Sequence, residues 1–153
     1  MTADPRSPGH VVDGSGSTPV GRPAPRAQRL VAGALAIVFG LATLAEGGHV
    51  LFGGPEARAE AGRVVPFVLY FNFGAAFAYV AAGAGALLGR AWAVWIARAL
   101  AATTVVVFVA LGAHVLSGGA FEPRTPVAMT IRSVFWIAQA IALGRISRGG
   151  SLA

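Results

Sequence analysis

Four long apolar runs organise the chain, at about 30–52, 64–88, 91–116 and 127–144. Polar segments carrying Gly or Pro separate them: FGGPEARAEAGR after the first, LGRA after the second and SGGAFEPRTP before the fourth. A helix needs roughly 20 residues to cross the hydrocarbon core of a bilayer. The first three runs reach that length and the fourth lies at the short end of the range. Lipid cannot satisfy backbone polar groups, so only helices or closed barrels cross it. Barrel strands alternate polar and apolar residues, and these runs do not. The pattern therefore predicts four transmembrane helices. The LGRA link is short enough to make the second and third spans antiparallel neighbours, and Pro126 is suited to the first turn of the fourth.

Residues 1–29 differ in kind. They are rich in Pro, Gly, Ser and Arg, have no apolar periodicity and are expected to form a disordered tail. The fold class expected is thus all-α: an integral membrane antiparallel four-helix bundle over 30–146, with the N-terminal tail before it and a short tail, 147–153, after it. No internal repeat is visible. Thr43-Leu44-Ala45 resembles a signal-peptide cleavage site, but the apolar core from Leu30 to Ala45 exceeds the usual 7–15 residues and hydrophobicity resumes beyond it. The first span is expected to be retained. Adjacent arginines, which a twin-arginine signal needs, are lacking.

Composition supports the membrane reading. The 153 residues are 56% hydrophobic and 12% charged, against about 25% charged in a soluble domain. A lipid bilayer is the expected partner. All twelve basic residues are arginine, which with abundant Ala, Gly and Val suggests a GC-rich, bacterial source and the bacterial inner membrane. The absence of cysteine excludes disulfides, thiolate metal sites and cysteine nucleophiles. The net charge of +6 does not imply nucleic acid, because the arginines are dispersed between apolar runs. Their distribution sets orientation instead. Arg6, Arg22, Arg26, Arg29, Arg90, Arg145 and Arg148 lie at one set of span ends, and Arg58, Arg63 and Arg124 at the other. The positive-inside rule then places both termini in the cytoplasm.

Chemistry enters through polar residues inside the spans, which are costly in lipid and by default face the bundle interior. The stretch LATLAEGGHVLF puts Glu46 and His49 three residues apart, on one helix face. At about 1.5 Å rise per residue, Glu46, Asn72 and Arg132 lie roughly 5–7 Å to the outer side of their spans' centres. His49 and His114 lie nearer the outer surface. Asn72 and Tyr79, Thr125, Arg132 and Gln139, and Thr103 and His114 each repeat at near-whole turns, giving every helix one polar stripe; the simplest packing turns all four stripes inward. An outward-facing pocket for an ion or small ligand follows, lined by Glu46, His49, Asn72, His114 and Arg132, with Arg132 as counter-ion to Glu46. Glu122 and Arg124 are placed to form its lid. Arg98 reads as a snorkelling side chain, Trp92 and Trp95 as an interfacial belt, and Phe135 and Trp136 as bundle or lipid contacts.

Other readings stay open. Glu-x-x-His is a metal-ligand spacing in di-metal bundles, and Glu46, His49, His114 and Glu122 form a candidate set for a divalent metal. The single Glu-x-x-His and the nearby Arg132 weigh against it. The two histidines are also candidate haem ligands. Alternatively, the polar network only holds the bundle together, in an accessory subunit that joins a partner membrane protein or a second copy. A metal- or haem-dependent membrane enzyme is the third reading. Ser117 and Ser133 have no base at a motif spacing and no phosphate loop is present, so no catalytic residue is assigned.

Overall fold

The structure, a computed structural model, describes residues 25–149. They form five helices: α1 (Pro25–Phe52), α2 (Gly54–Ala61), α3 (Pro66–Leu87), α4 (Trp92–Leu116) and α5 (Arg124–Arg148). All but α2 are long and apolar enough to cross a membrane. At about 1.5 Å per residue, even the 22-residue α3 is roughly 33 Å long, which matches the roughly 30 Å hydrocarbon core. The expected tail over 1–24 and the end at 150–153 lie outside the described residues. Residues 25–29, expected in that tail, are the first turns of α1, where Pro25 leads the helix and its missing N–H costs nothing.

The short helix α2 was not expected, because its glycines and proline read as breakers. Pro55 is placed in its first turn, where proline is favoured, and Glu56 adds a negative charge at the positive end of the helix dipole. Gly54 (φ 83°) and Gly62 (φ 71°) turn the chain into and out of it. The helix α5 starts three residues before the apolar run, so Pro126 is its third residue.

The long helices pack in the order α1, α3, α4, α5, and α1 touches α5 only sparsely. The α1–α3 seam is the tightest. A methyl group on Gly83 would lie 2.7 Å from the Gly33 carbonyl oxygen, and one on Gly33 would lie 2.8 Å from the Gly83 carbonyl oxygen. Gly40 meets Tyr79 and Val80 at the same kind of distance one heptad later. Small residues let backbones approach where lipid supplies no hydrophobic drive between helices. The core behind this seam is mostly alanine, with Tyr79, Leu100, Trp136 and Leu143 as its large members. A second cluster of Val65, Val68, Leu111 and Met129 fills the end of the bundle that carries α2. Leu35, Val38, Val106, Val109, Ile131 and Val134 point outward and are exposed. This apolar outer surface is what a bilayer solvates and water does not.

Candidate functional site

The sparse α1–α5 seam leaves two recesses. At the α2 end is a pocket of about 430 Å³ walled by α1, α2, α3 and α5, with Thr43, Glu46, His49, Glu60, Asn72, Arg124, Thr125 and Arg132 among its lining residues. Toward the opposite end is an apolar cleft of about 390 Å³ between Val31, Leu35, Phe135 and Ala138, with Gln139 at its wall. Phe39 and Phe135, stacked at 4.4 Å between ring centroids, lie in the seam between the two recesses.

Arg132 stands on the pocket floor. Its Nη2 lies 3.9 Å from Glu46 Oε2 and donates a 3.4 Å hydrogen bond to Thr43 Oγ1. Thr43 in turn donates to the Phe39 carbonyl at 2.8 Å. The guanidinium also faces the Phe39 ring, at 5.9 Å to its centroid. The two partners of the ion pair differ sharply in burial: the Arg132 side chain is 9% exposed, that of Glu46 80%. The expected counter-ion contact is there, but the expectation that both partners lie inside the bundle is corrected for Glu46. Arg132 is inside, but Glu46 approaches it from the open side of the seam. The physical reason is the rotation of α1 set by Gly33 and Gly40, which turns Thr43 inward and leaves Glu46 at the edge.

His49 shares the pocket wall. Its Nε2 lies 3.7 Å from Glu60 Oε2 of α2, and both side chains are exposed. Arg124 donates from Nη2 to the Glu60 carbonyl at 2.6 Å, tying α5 to the end of α2. Of the two expected lid residues, Arg124 thus lines the pocket beside α2. Glu122 lies aside, accepting from the Arg63 backbone N–H at 3.3 Å. Asn72 lines the pocket but reaches toward Met129, with Nδ2 3.7 Å from Sδ, and not toward the Glu46–Arg132 pair.

His114 does not join the other four expected pocket residues. It belongs to α4, which does not wall this pocket, and its Nε2 sits 3.1 Å from the Ala120 carbonyl in its own following loop. The candidate metal set of Glu46, His49, His114 and Glu122 is accordingly not assembled. Among the described residues no three His, Asp or Glu side chains converge on a point. Nor do the two histidines face each other as paired haem ligands would, since the pocket contains only one of them.

On α4 the inward polar residue is Thr104, fully buried, while Thr103 is exposed and bonds back to the Ala99 carbonyl at 2.8 Å. The α5 stripe does turn inward: Arg132 and Gln139 are buried, and Gln139 donates to the Ala32 carbonyl at 2.9 Å. Arg98, on the exposed surface of α4, stacks over Trp95 at 5.0 Å.

A second polar group lies deeper; polar spacing had placed its Tyr79 on an inward stripe but had not singled out Thr104 or Trp136. Tyr79 of α3, Thr104 of α4 and Trp136 of α5 have no exposed surface. The Tyr79 hydroxyl stands among Thr104, Trp136 and Arg132, within interaction range of each. The Tyr79 and Trp136 rings lie 4.6 Å apart. The polar contacts are loose: the Tyr79 hydroxyl is within hydrogen-bonding reach of the other three side chains, but Tyr79 Oη, Thr104 Oγ1, Trp136 Nε1 and Arg132 Nε make no bond of strict geometry among the described residues.

No protein family, curated protein or solved structure matches the chain.

Proposed function

We propose that this chain is a small multi-pass membrane protein that binds a small polar ligand in the pocket at the α2 end. The observation that carries the reading is Arg132. It is a nearly buried guanidinium on the floor of an open pocket of about 430 Å³, and Glu46 at 3.9 Å only loosely occupies it. A good guanidinium–carboxylate pair is shorter, about 2.7–2.9 Å, and commonly bidentate. Arg132 therefore keeps donors for a ligand's acidic group. Glu46 and Glu60 on the same walls supply the opposite sign, so the charge layout suits a ligand with an anionic and a cationic end. His49, Thr125 and Asn72 add neutral hydrogen-bonding groups. In this reading consecutive spans alternate in direction, both termini are cytoplasmic by the arginine asymmetry, and the pocket opens to the outside of a bacterial inner membrane. Closure of α2 over the pocket, through the His49–Glu60 and Arg124–Glu60 contacts, would shield the bound ligand from solvent.

The competing reading is an accessory subunit in which Arg132, Thr43 and Gln139 only fix helix register. The Gln139–Ala32 bond, far from the pocket, favours a structural share for that stripe. Purified protein in lipid nanodiscs, screened by thermal unfolding against small carboxylates, amines and amino acids, distinguishes the two. Binding predicts a concentration-dependent rise in melting temperature for one chemical class, lost in Arg132→Gln and weakened in Glu46→Gln. No response to any class, with both variants merely less stable, would favour the accessory role.

A further inference from the structure

We infer that the apolar cleft between the start of α1 and the end of α5 seats an acyl chain of one anionic phospholipid, whose phosphate lies among the arginines at that end of the bundle. This site is separate from the pocket at the α2 end, and the inference is independent of what that pocket binds.

The shape of the cleft suits a chain. It encloses about 390 Å³, within the roughly 300–1,000 Å³ of small-ligand sites. Its walls run from Ala27 to Leu35 on α1 and from Phe135 to Ala142 on α5, so at about 1.5 Å per residue it extends roughly 10–12 Å along the bundle. One leaflet contributes about 15 Å of hydrocarbon, half of the roughly 30 Å core. The cleft thus spans most of one leaflet, and it stops at the stacked Phe39 and Phe135 rings near the midpoints of α1 and α5.

The lining decides what can enter. The side chains of Val31, Leu35, Phe135, Ala138 and Ala142 offer no hydrogen bond, and the Gln139 amide already donates to the Ala32 carbonyl at 2.9 Å. A polar guest would lose its hydration there without replacement, whereas a hydrocarbon chain has none to lose. Val31, Leu35 and Ala138 are exposed, and α1 touches α5 only sparsely. The cleft therefore opens sideways, where a lipid of the same leaflet can enter without leaving the bilayer.

Charge at the mouth selects the headgroup. Arg26 and Arg29 bracket Ala27 and Gln28 on the α1 side, and Arg145 follows Ala142 by one turn on α5, with Arg148 a further turn on. Arg26, Arg145 and Arg148 are exposed. The acidic residues among the described residues, Glu46, Glu56, Glu60 and Glu122, all belong to the α2 end, so no described carboxylate competes with a phosphate here. Guanidinium groups match phosphate bidentately, and a zwitterionic headgroup would bring its own cation into this positive field.

Full-length protein in a nonionic detergent, titrated with phosphatidylglycerol or with phosphatidylcholine of identical acyl chains, tests this by native mass spectrometry. Phosphatidylglycerol is expected to saturate at one lipid per protein, at concentrations where phosphatidylcholine does not bind. Each arginine beside an anionic lipid is worth about fivefold in affinity, so Arg145→Gln with Arg148→Gln should raise the midpoint roughly tenfold or more. Ala138→Phe fills the cleft without touching an arginine and should weaken binding as much, while Ala102→Phe on the exposed face of α4 should not. All of these positions are exposed, so the fold survives each change. Equal uptake of the two lipids, uptake without saturation, or a midpoint unmoved by Ala138→Phe would each overturn the inference. Displacement of the lipid by glycerol 3-phosphate would overturn it in favour of a free phosphate site. A dimer insensitive to lipid and lost in Ala138→Phe would place a second copy in the cleft instead. Phosphatidylglycerol binding with no ligand response at the larger pocket would leave this site standing and count against the pocket reading alone.

Discussion

The close approach of α1 and α3 can be tested with single methyl groups. An alanine at position 83 would place its Cβ 2.7 Å from the Gly33 carbonyl oxygen, 2.7 Å from Ile37 Cγ1 and 2.9 Å from the Ile37 backbone nitrogen. Ile37 Cγ1 can move by rotation, but the two backbone atoms cannot move without the helix. Ordinary contact begins near 3.4 Å, so α1 must retreat by at least about 0.7 Å along the seam, a large step for an interior packed at crystal density. Overpacking of this kind typically costs about 1–3 kcal/mol. Alanine recovers up to about 1 kcal/mol through its better helix propensity. With that recovery in full, the net expectation is a loss of about 0–2 kcal/mol, which puts Gly83→Ala about 1–3 kcal/mol below a methyl group added where nothing clashes. Gly74 in the same helix and Gly112 in α4 serve as controls, because a methyl group there meets nothing within 4 Å. Gly74→Ala and Gly112→Ala should leave stability unchanged or slightly raised. Equilibrium unfolding in mixed micelles by detergent titration reads all three. The double variant Gly33→Ala/Gly83→Ala should cost less than the sum of its parts, since one retreat of α1 relieves both clashes. If Gly83→Ala were as stable as Gly74→Ala, the tight seam would not exist and the inward rotation of Thr43 would lose its cause.

The Glu46–Arg132 pair should couple weakly, because one partner is exposed and the contact is 3.9 Å: a double-mutant cycle with Glu46→Gln and Arg132→Gln should give about 0.2–1 kcal/mol, the range of exposed pairs, and a value above about 3 kcal/mol would show a closed, buried pair instead. Gln139→Leu should change stability by no more than about 1 kcal/mol, since the lost bond to the Ala32 carbonyl is offset by an apolar side chain of similar size; a larger loss by thermal unfolding would give Gln139 a second, unseen partner. Reporter fusions at Ala153 and at Arg58 should report opposite sides of the membrane, with Ala153 cytoplasmic, as the arginine count requires; a periplasmic Ala153 would reverse the bundle and close the proposed pocket to the outside.

Run length alone made the four spans legible in the sequence, because a bilayer demands an uninterrupted apolar stretch and self-satisfied backbone. The inward stripe of Arg132 and Gln139 was legible for a related reason: polar groups in a span avoid lipid. Glu46, Asn72 and Arg132 could be grouped by depth and His49 by its spacing from Glu46, and all four line one pocket. Depth could not say which way α1 and α4 are turned. A lipid-spanning helix is apolar on nearly every face, so periodicity marks no buried side. On α1 the choice fell to glycines at 33 and 40 that admit α3, and Thr43 went inward in place of Glu46. On α4 it selected Thr104 over its neighbour Thr103. The placement of His114 depended on which helices wall the pocket, and α4 does not. The segment GPEARAEA became a helix because its formers outweigh its breakers over eight residues. The buried group at Tyr79, Thr104 and Trp136 comes from three helices; Tyr79 was legible on an inward polar stripe, but Thr104 was not distinguished from Thr103 and the Trp136 indole reads as apolar in one dimension. Only tertiary packing could bring their polar atoms to one point, because that convergence depends on the rotation and register of three helices relative to one another.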